Sequence, residues 1–189
     1  MQTIELSEIK NIADYELERK QWRLKIIALK GRRRIQLGEH LSFLFENRET
    51  VRYQIQEMLR IERIASPEAI AHEVNTYNEL IPKPGELSAT LLIEYSSAEE
   101  RDVKLRELLS LEDHIRLVVA DTPPIPAHFD DRQISTDRIS SVQYLKFQLS
   151  PEQVRRWKEG AKLAADHPSY RAERVLREAE IEELAADLA

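Results

Sequence analysis

The chain has 189 residues and contains no cysteine. Disulfides, thiolate nucleophiles, iron–sulfur clusters and cysteine-type zinc sites are therefore excluded, and a bound metal would need histidine, aspartate or glutamate ligands. The four glycines do not form the loops with which P-loop and dinucleotide-binding proteins hold phosphate groups. For this reason we expect no nucleotide cofactor.

Long apolar segments are also missing. No run approaches the roughly 18 residues that a membrane-spanning helix needs, and the N-terminal segment lacks the apolar centre of a secretory signal. The net charge is −6, and acidic residues are concentrated between positions 178 and 187. Because phosphate neutralisation needs a basic surface, nucleic acid is an unfavourable partner. The sequence thus predicts a cytoplasmic protein that contacts neither membrane nor nucleic acid.

The spacing of apolar residues predicts helices and strands that alternate along the chain. Helices are predicted at 14–30, 48–65, 66–81, 97–109, 150–157 and 176–188. Strands are predicted at 35–37, 41–45, 87–94, 115–120 and 141–149, with a short extended piece at 163–165. We expect an α+β fold in which residues 1–189 form a single domain with one mixed β-sheet covered by helices. The helix at 97–109, between two strands, favours a parallel strand pair.

One carboxylate in the predicted helix 48–65 has an unusual position. Glu62 continues the apolar stripe of Val51, Ile55 and Met58. A carboxylate buried on such a stripe must be paired with a cation, protonated or bound to a metal. Glu73 lies at the edge of the stripe of the next helix and is placed to meet Glu62. Ion pairs with the neighbouring arginines are the alternative interpretation.

His72 adds a second ligand type to this region. It follows Glu68 by four residues, a spacing that suits either a metal site or a surface hydrogen bond. The paired Glu-x-x-His pattern of helical di-iron proteins is missing from the sequence. The candidate ligands for iron or another divalent metal are Glu57, Glu62, His72 and Glu73.

Two other clusters each have two interpretations. The basic run of Lys30 and residues 32–34 suits either an acidic partner or phosphate, or a solvated helix end. Residues 166–170, Asp-His-Pro-Ser-Tyr, could supply a metal ligand or general base, or could form a turn.

Several stretches resemble an uncharacterised bacterial family, domain-of-unknown-function family 3501. They are ENRETVRYQIQEM at 46–58, IAHEVNTYN at 70–78, GELSATL at 85–91, SPEQV at 150–154 and DHPSY at 166–170. The resemblance spans nearly the whole chain. It implies a setting, since the genes of this family tend to lie beside rubrerythrin-like non-haem iron proteins and iron–sulfur oxidoreductases of the heterodisulfide-reductase type. It implies no catalytic residue.

Two hypotheses follow for the function. The first is an accessory or interaction protein of such a redox system, active in oxidative stress. It would dock a rubrerythrin-like protein or iron–sulfur oxidoreductase through the polar helix face of residues 46–63, or bind iron through the ligands named above. The second is a small metal- or carboxylate-dependent hydrolase or lyase in which Glu62, Glu73 and His167 converge on one pocket.

Overall fold

The computed structural model describes residues 2–133 and 136–189. In these residues the chain forms six α-helices and nine strands. The helices are α1 Ile12–Arg33, α2 Arg48–Ile61, α3 Pro67–Asn78, α4 Ala98–Glu107, α5 Pro151–Arg156 and α6 Glu178–Ala185. The strands are β1 Arg34–Leu37, β2 Leu41–Phe45, β3 Glu86–Ile93, β4 Ile115–Val119, β5 Ile125–Pro126, β6 His128–Phe129, β7 Val142–Gln148, β8 Ala161–His167 and β9 Tyr170–Val175.

Helix starts follow the capping residues in the sequence. The side chains of Ser66 and Ser150 accept hydrogen bonds from the backbone at the third residues of α3 and α5, and proline occupies the first turn of both helices. These residues satisfy amide groups that have no partner within the helix. Both predicted starts are confirmed. No helix in the described part of the chain is long and apolar enough to cross a membrane.

The strands form two antiparallel sheets, of order β1-β2-β3-β7-β6 and β5-β4-β8-β9. The α+β class is confirmed, but the one mixed sheet that we expected is replaced by these two. The predicted parallel pair around α4 is wrong, because β3 and β4 belong to different sheets. The reason is that β2 and β7 occupy both edges of β3, so that no edge is left for β4.

Alternating side chains of both sheets form a shared apolar core. It includes Phe43, Phe45, Leu87, Leu91 and Phe147 from the five-stranded sheet and Ile115, Leu117 and Leu163 from the four-stranded sheet. A second core lies between helices α2 and α3 and the other face of the five-stranded sheet. It contains Ile4, Val51, Ile55, Leu59, Val74, Leu80 and Ile81, with Tyr144 of β7 packed against it. The five-stranded sheet is therefore covered on both faces.

Candidate functional site

A cleft of about 810 Å³ lies between the C-terminal half of α3 and strands β6 and β7. Its apolar lining residues are Tyr77, Leu80, Ile81, Phe129, Tyr144 and Leu145, and its polar ones include Glu73, Ser88, His128, Arg132, Gln133 and Lys146. Ligand sites are typically concave, largely apolar and furnished with a few polar groups. This cleft is therefore the candidate functional site.

The sheet wall of the cleft is built by strand register. Ser88 of β3 pairs with Lys146 of β7, and Lys146 pairs with His128 of β6. Directly paired residues point to the same face of a sheet, so these three side chains form one row across three strands. Tyr144 lies two residues before Lys146 and points to the same face. This wall of the cleft therefore has a row of polar side chains beside the ring of Tyr144.

Two cations of the wall and mouth, Lys146 and Arg132, are paired within the protein. Lys146 donates to Glu86 at 2.9 Å, and Glu86 is buried. At the mouth, Arg132 donates to Asp130 at 2.7 Å and to Glu79 at 2.6 Å. The Arg132 hydrogen bond lowers the pKa of the Asp130 carboxyl. Neither Lys146 nor Arg132 therefore offers an uncompensated charge to a ligand.

Two tyrosines supply aromatic surface to the cleft. Burial raises the pKa of Tyr77 and of Tyr144 above the usual tyrosine value. Both phenols are consequently protonated at neutral pH and can donate hydrogen bonds. Behind Tyr144, the buried Glu46 carboxylate accepts hydrogen bonds from Thr50 at 2.5 Å and Thr90 at 2.6 Å. This network links the wall of the cleft to the start of α2.

The four predicted metal ligands are not brought together. In residues 2–133 and 136–189, no three His, Asp or Glu side chains form a group that could hold a metal. Glu62 and His72 are exposed, and only Glu73 lines the cleft. The stripe ends before Glu62 because α2 stops at Ile61 and Arg63 adopts a left-handed backbone conformation (φ 55°).

Glu57 is the carboxylate that lies between two helices. It accepts hydrogen bonds from Arg19 Nε at 2.7 Å, from Arg19 Nη2 at 2.9 Å and from the Tyr15 hydroxyl. The Arg19 hydrogen bond is the main reason that the pKa of Glu57 is lowered to about 2. An ion pair of the kind considered for Glu62 therefore forms instead at Glu57, where it joins α1 to α2.

Replacing Glu57 by glutamine should remove stability that depends on pH. A pKa lowered from 4.5 to about 2 stabilises the folded state above pH 4.5, and this contribution is lost as the pH falls towards 2. We expect Glu57→Gln to lower the free energy of unfolding by up to about 3 kcal/mol at neutral pH. Urea unfolding of both proteins over this range should show the difference vanish in acid. The exposed Glu49 on the same helix provides a control, and a pH-independent difference at Glu57 would contradict the assignment.

The predicted docking face at 46–63 is partly covered. Of the residues of α2, only Glu49 and Ile61 are exposed. Arg48 bonds to the backbone of the N-terminal segment, and Arg52 lies 4.9 Å from the ring centre of Trp22 in α1. The charged side chains that suggested a solvated face hold neighbouring segments against α2. Docking through this face stays a prediction, with fewer free charged side chains than the sequence suggested.

The basic run meets an acidic partner inside the molecule. Arg33 is buried and forms ion pairs with Asp187 and with Glu183, while Arg32 donates to Glu183 at 2.8 Å. The acidic C-terminal segment therefore neutralises the end of α1. These two arginines are not available to a phosphate backbone.

The Asp-His-Pro-Ser-Tyr segment forms the β8–β9 hairpin turn. His167 Nε2 donates to the Leu109 carbonyl at 2.9 Å, and Nδ1 accepts from the Ser169 amide at 3.1 Å. With both nitrogens bonded to backbone, this ring is not free to act as a base. The Tyr170 hydroxyl donates to the Leu37 carbonyl at 2.7 Å and accepts from the His40 amide at 3.1 Å. The turn interpretation is the one that the structure supports.

Sequence reasoning missed most of the cleft. Ser88, Tyr144 and Lys146 were predicted only as members of the strands 87–94 and 141–149. Their alternation with apolar neighbours was a usable signal, because it places them on the face opposite the main core. The sequence did not indicate that α3 would leave this part of the face open as a cleft.

Comparison with known proteins identifies the family. The model of DUF3501, described as a protein of unknown function, matches residues 3–188. A crystal structure of a novel protein of unknown function from Burkholderia pseudomallei is 32% identical, with a TM-score of 0.93 and coverage of 100% of both chains. A search of the curated proteins finds no significant match. The chain belongs to the DUF3501 family.

Proposed function

We propose that the protein is a non-catalytic accessory protein whose cleft binds a small, neutral, planar organic molecule. The observation that carries this proposal is the cleft of about 810 Å³, which is lined by three aromatic rings and a row of polar side chains. Drug-sized ligands bind in cavities of this size and composition. The proposal replaces iron binding by the four predicted ligands, which are not assembled as a site.

The pairing of charges supports a neutral ligand. An anion bound at either of these two cations would have to compete with Glu86 for Lys146, or with Asp130 and Glu79 for Arg132. Breaking such pairs leaves carboxylates without partners, which costs free energy. A neutral ring system can stack against the aromatic wall and accept a hydrogen bond from a tyrosine or from Ser88 without breaking any ion pair.

The geometry does not favour the hydrolase or lyase alternative. Its three proposed residues do not converge, since Glu62 is exposed at the end of α2 and Glu73 lies at the cleft. His167 is in the β8–β9 turn with both ring nitrogens bonded to backbone groups. Nucleophile, base and orienting group must lie within hydrogen-bonding reach of one another for such chemistry.

The setting implied by the family resemblance completes the proposal. In it the protein works in the cytoplasm beside a rubrerythrin-like protein or an iron–sulfur oxidoreductase, in redox metabolism or oxidative stress. A redox-linked neutral molecule such as a quinone has the chemistry that the cleft accommodates, and the chain has no cysteine with which a quinone could react.

Matched probes test the ligand class. We expect menadione and 2-naphthol, which are neutral and planar, to bind at least tenfold more tightly than 1-naphthyl phosphate. Isothermal titration calorimetry would measure the affinities. Tyr144→Phe should weaken binding of the neutral probes roughly twofold to tenfold, the effect of one hydrogen bond. Ser88→Leu, which places a larger side chain in the sheet wall of the cleft, should abolish binding of the neutral probes.

Tyr95→Phe is the matched control, because Tyr95 is also half-buried but stacks on His40 away from the cleft. It should leave the affinities unchanged. Equal binding of neutral and anionic probes, no binding of either, or an equal effect of Tyr95→Phe and Tyr144→Phe would each overturn the proposed ligand class.

The accessory role has a separate test. The full-length chain would be mixed with the purified rubrerythrin-like protein and with the iron–sulfur oxidoreductase of its own organism, and complexes measured by sedimentation velocity. A complex with one of them is expected. If the chain sediments unchanged with both, with or without menadione, the accessory role is refuted while the ligand class is still judged by calorimetry.

A further inference from the structure

Helix α1 exposes an apolar stripe on its outer face. Leu17 is 85% exposed, Leu24 is 63% exposed and Ile27 is 52% exposed. These are three of the seven large apolar side chains that are strongly exposed in the described residues. Leu17 and Leu24 are seven residues apart, which is about two turns, so they lie one above the other on the helix. Exposed apolar stripes of this kind commonly mark interaction surfaces.

The stripe belongs to a helix that is firmly held on its other side. Tyr15 and Ile26 are buried, and the Tyr15 ring makes an edge-to-face contact with Trp22 at 5.5 Å. The exposed face therefore has a fixed shape. The small residues Ala13 and Ala28 extend the stripe at its two ends and are also exposed. Small side chains allow another helix to approach closely.

The charges of α1 are separated along its length. All of its acidic residues, Asp14, Glu16 and Glu18, lie in the N-terminal third. From Arg19 to Arg33 the helix has no acidic residue, and its exposed cations include Lys20, Arg23 and Lys25. Such a helix is complementary to a copy of itself that runs in the opposite direction, since each acidic end then faces a basic end.

We propose that α1 pairs antiparallel with α1 of a second copy of the chain, forming a two-fold symmetric dimer. In this arrangement Leu17 of each protomer packs against Leu24 of its partner, and Ala13 lies opposite Ile27. A two-fold interface uses the same patch twice, which a self-complementary stripe satisfies. The inference is independent of the cleft, because no residue of α1 lines it.

The charged residues on both sides of the stripe are consistent with the same two-fold antiparallel arrangement. Glu16 and Arg23 are seven residues apart and lie on one flank, while Asp14 and Lys25 lie on the other flank. In an antiparallel pair with Leu17 opposite Leu24, Asp14 faces Lys25 of the second copy, and Glu16, which also pairs with Arg60 of its own chain at 3.4 Å, faces Arg23. Residues that flank a helix–helix seam commonly form such ion pairs and set partner orientation. A parallel pair would instead bring the two acidic N-terminal thirds together and the two basic halves together.

Sedimentation equilibrium of the full-length chain at micromolar to submillimolar concentration tests the proposal. We expect a mass of twice 22.1 kDa. Leu24→Glu should weaken dimerisation at least about 30-fold, because it introduces two charges into the apolar seam opposite Leu17. Val175→Glu is the matched control, since Val175 is 71% exposed on β9. It should leave the dimerisation constant unchanged.

Charge reversal tests the antiparallel orientation. Arg23→Glu alone should weaken dimerisation roughly threefold to tenfold, and adding Glu16→Lys should restore it. A monomer at all concentrations, a dimer unaffected by Leu24→Glu, or one disrupted equally by Val175→Glu would overturn the proposal. Failure of the double reversal to restore the dimer would refute the antiparallel arrangement.

Discussion

Replacing Arg33 by alanine is expected to lower the free energy of unfolding by about 3–5 kcal/mol, the cost of breaking a buried ion pair from one side. The Arg33 guanidinium is 1% exposed and forms an ion pair with Asp187, which is 2% exposed. It also donates to the backbone carbonyls of Phe45 at 2.8 Å and Glu46 at 3.2 Å. Without it, one buried carboxylate and two carbonyls lose their partner. Urea unfolding measures the difference.

Arg32→Ala is the matched control. Arg32 forms an ion pair with Glu183 in the same region, but its side chain is 59% exposed. Exposed pairs contribute little, so we expect a loss below about 1 kcal/mol. The double substitution Arg33→Met, Asp187→Leu should recover part of the loss because no buried charge is then left unpaired. Equal effects of Arg32→Ala and Arg33→Ala would contradict this account.

This ion pair shows why the sequence predicted helices and strands better than it predicted contacts between distant residues. The basic run at 32–34 was recognisable, and so was the acidic C-terminus, but 154 positions separate Arg33 from Asp187. Local patterns depend on neighbours three or four residues away in a helix and two in a strand. They do not determine which distant surfaces meet. An internal partner was therefore not among the interpretations considered for the basic run.

The C-terminal hairpin illustrates the limit of local propensity. We predicted only a short extended piece at 163–165, whereas β8 and β9 extend over Ala161–His167 and Tyr170–Val175. Four of the fifteen residues from Ala161 to Val175 are alanine, and one lysine and one aspartate are also present; all three residue types are weak strand formers. The strands form because β8 pairs with β4 along five residues and covers the shared core. Tertiary packing overrides the local preference here.

For the cleft, the sequence predicted on which faces some of the lining side chains lie, but it did not predict the shape of the cavity. The alternation in the predicted strands 87–94 and 141–149 correctly put Ser88 and Lys146 on the face away from the main core. The predicted helix 66–81 correctly placed Tyr77 on a buried stripe. The register that aligns Ser88, Lys146 and His128 depends on strand order. The sequence did not predict this strand order, because we expected one mixed sheet instead of two antiparallel sheets.

Gly38→Ala is expected to lower the free energy of unfolding by about 2–4 kcal/mol. Gly38 has a φ of +66°, a conformation that costs a residue with a Cβ atom about 1 kcal/mol or more. A Cβ atom there would lie 2.3 Å from the Tyr170 hydroxyl. The ring would have to move, which removes its hydrogen bonds to Leu37 and His40. Each such bond contributes about 1 kcal/mol. Urea unfolding measures the loss.

A double-mutant cycle with Tyr170→Phe separates the two causes. If the collision with the hydroxyl dominates, Gly38→Ala should cost clearly less in the Tyr170→Phe background, where the backbone cost and the 3.1 Å contacts with the ring and with Ala172 remain. Gly31→Ala is a control that we expect to raise the free energy of unfolding. Gly31 lies within α1 and a Cβ atom there meets nothing within 4 Å, so alanine should stabilise the protein by up to about 1 kcal/mol. Because Tyr170 of β9 bonds to the β1–β2 turn, a coupled loss at Gly38 would show that this hydroxyl fastens one sheet to the other. Fully additive losses would mean that the collision with the hydroxyl does not contribute to the cost of Gly38→Ala.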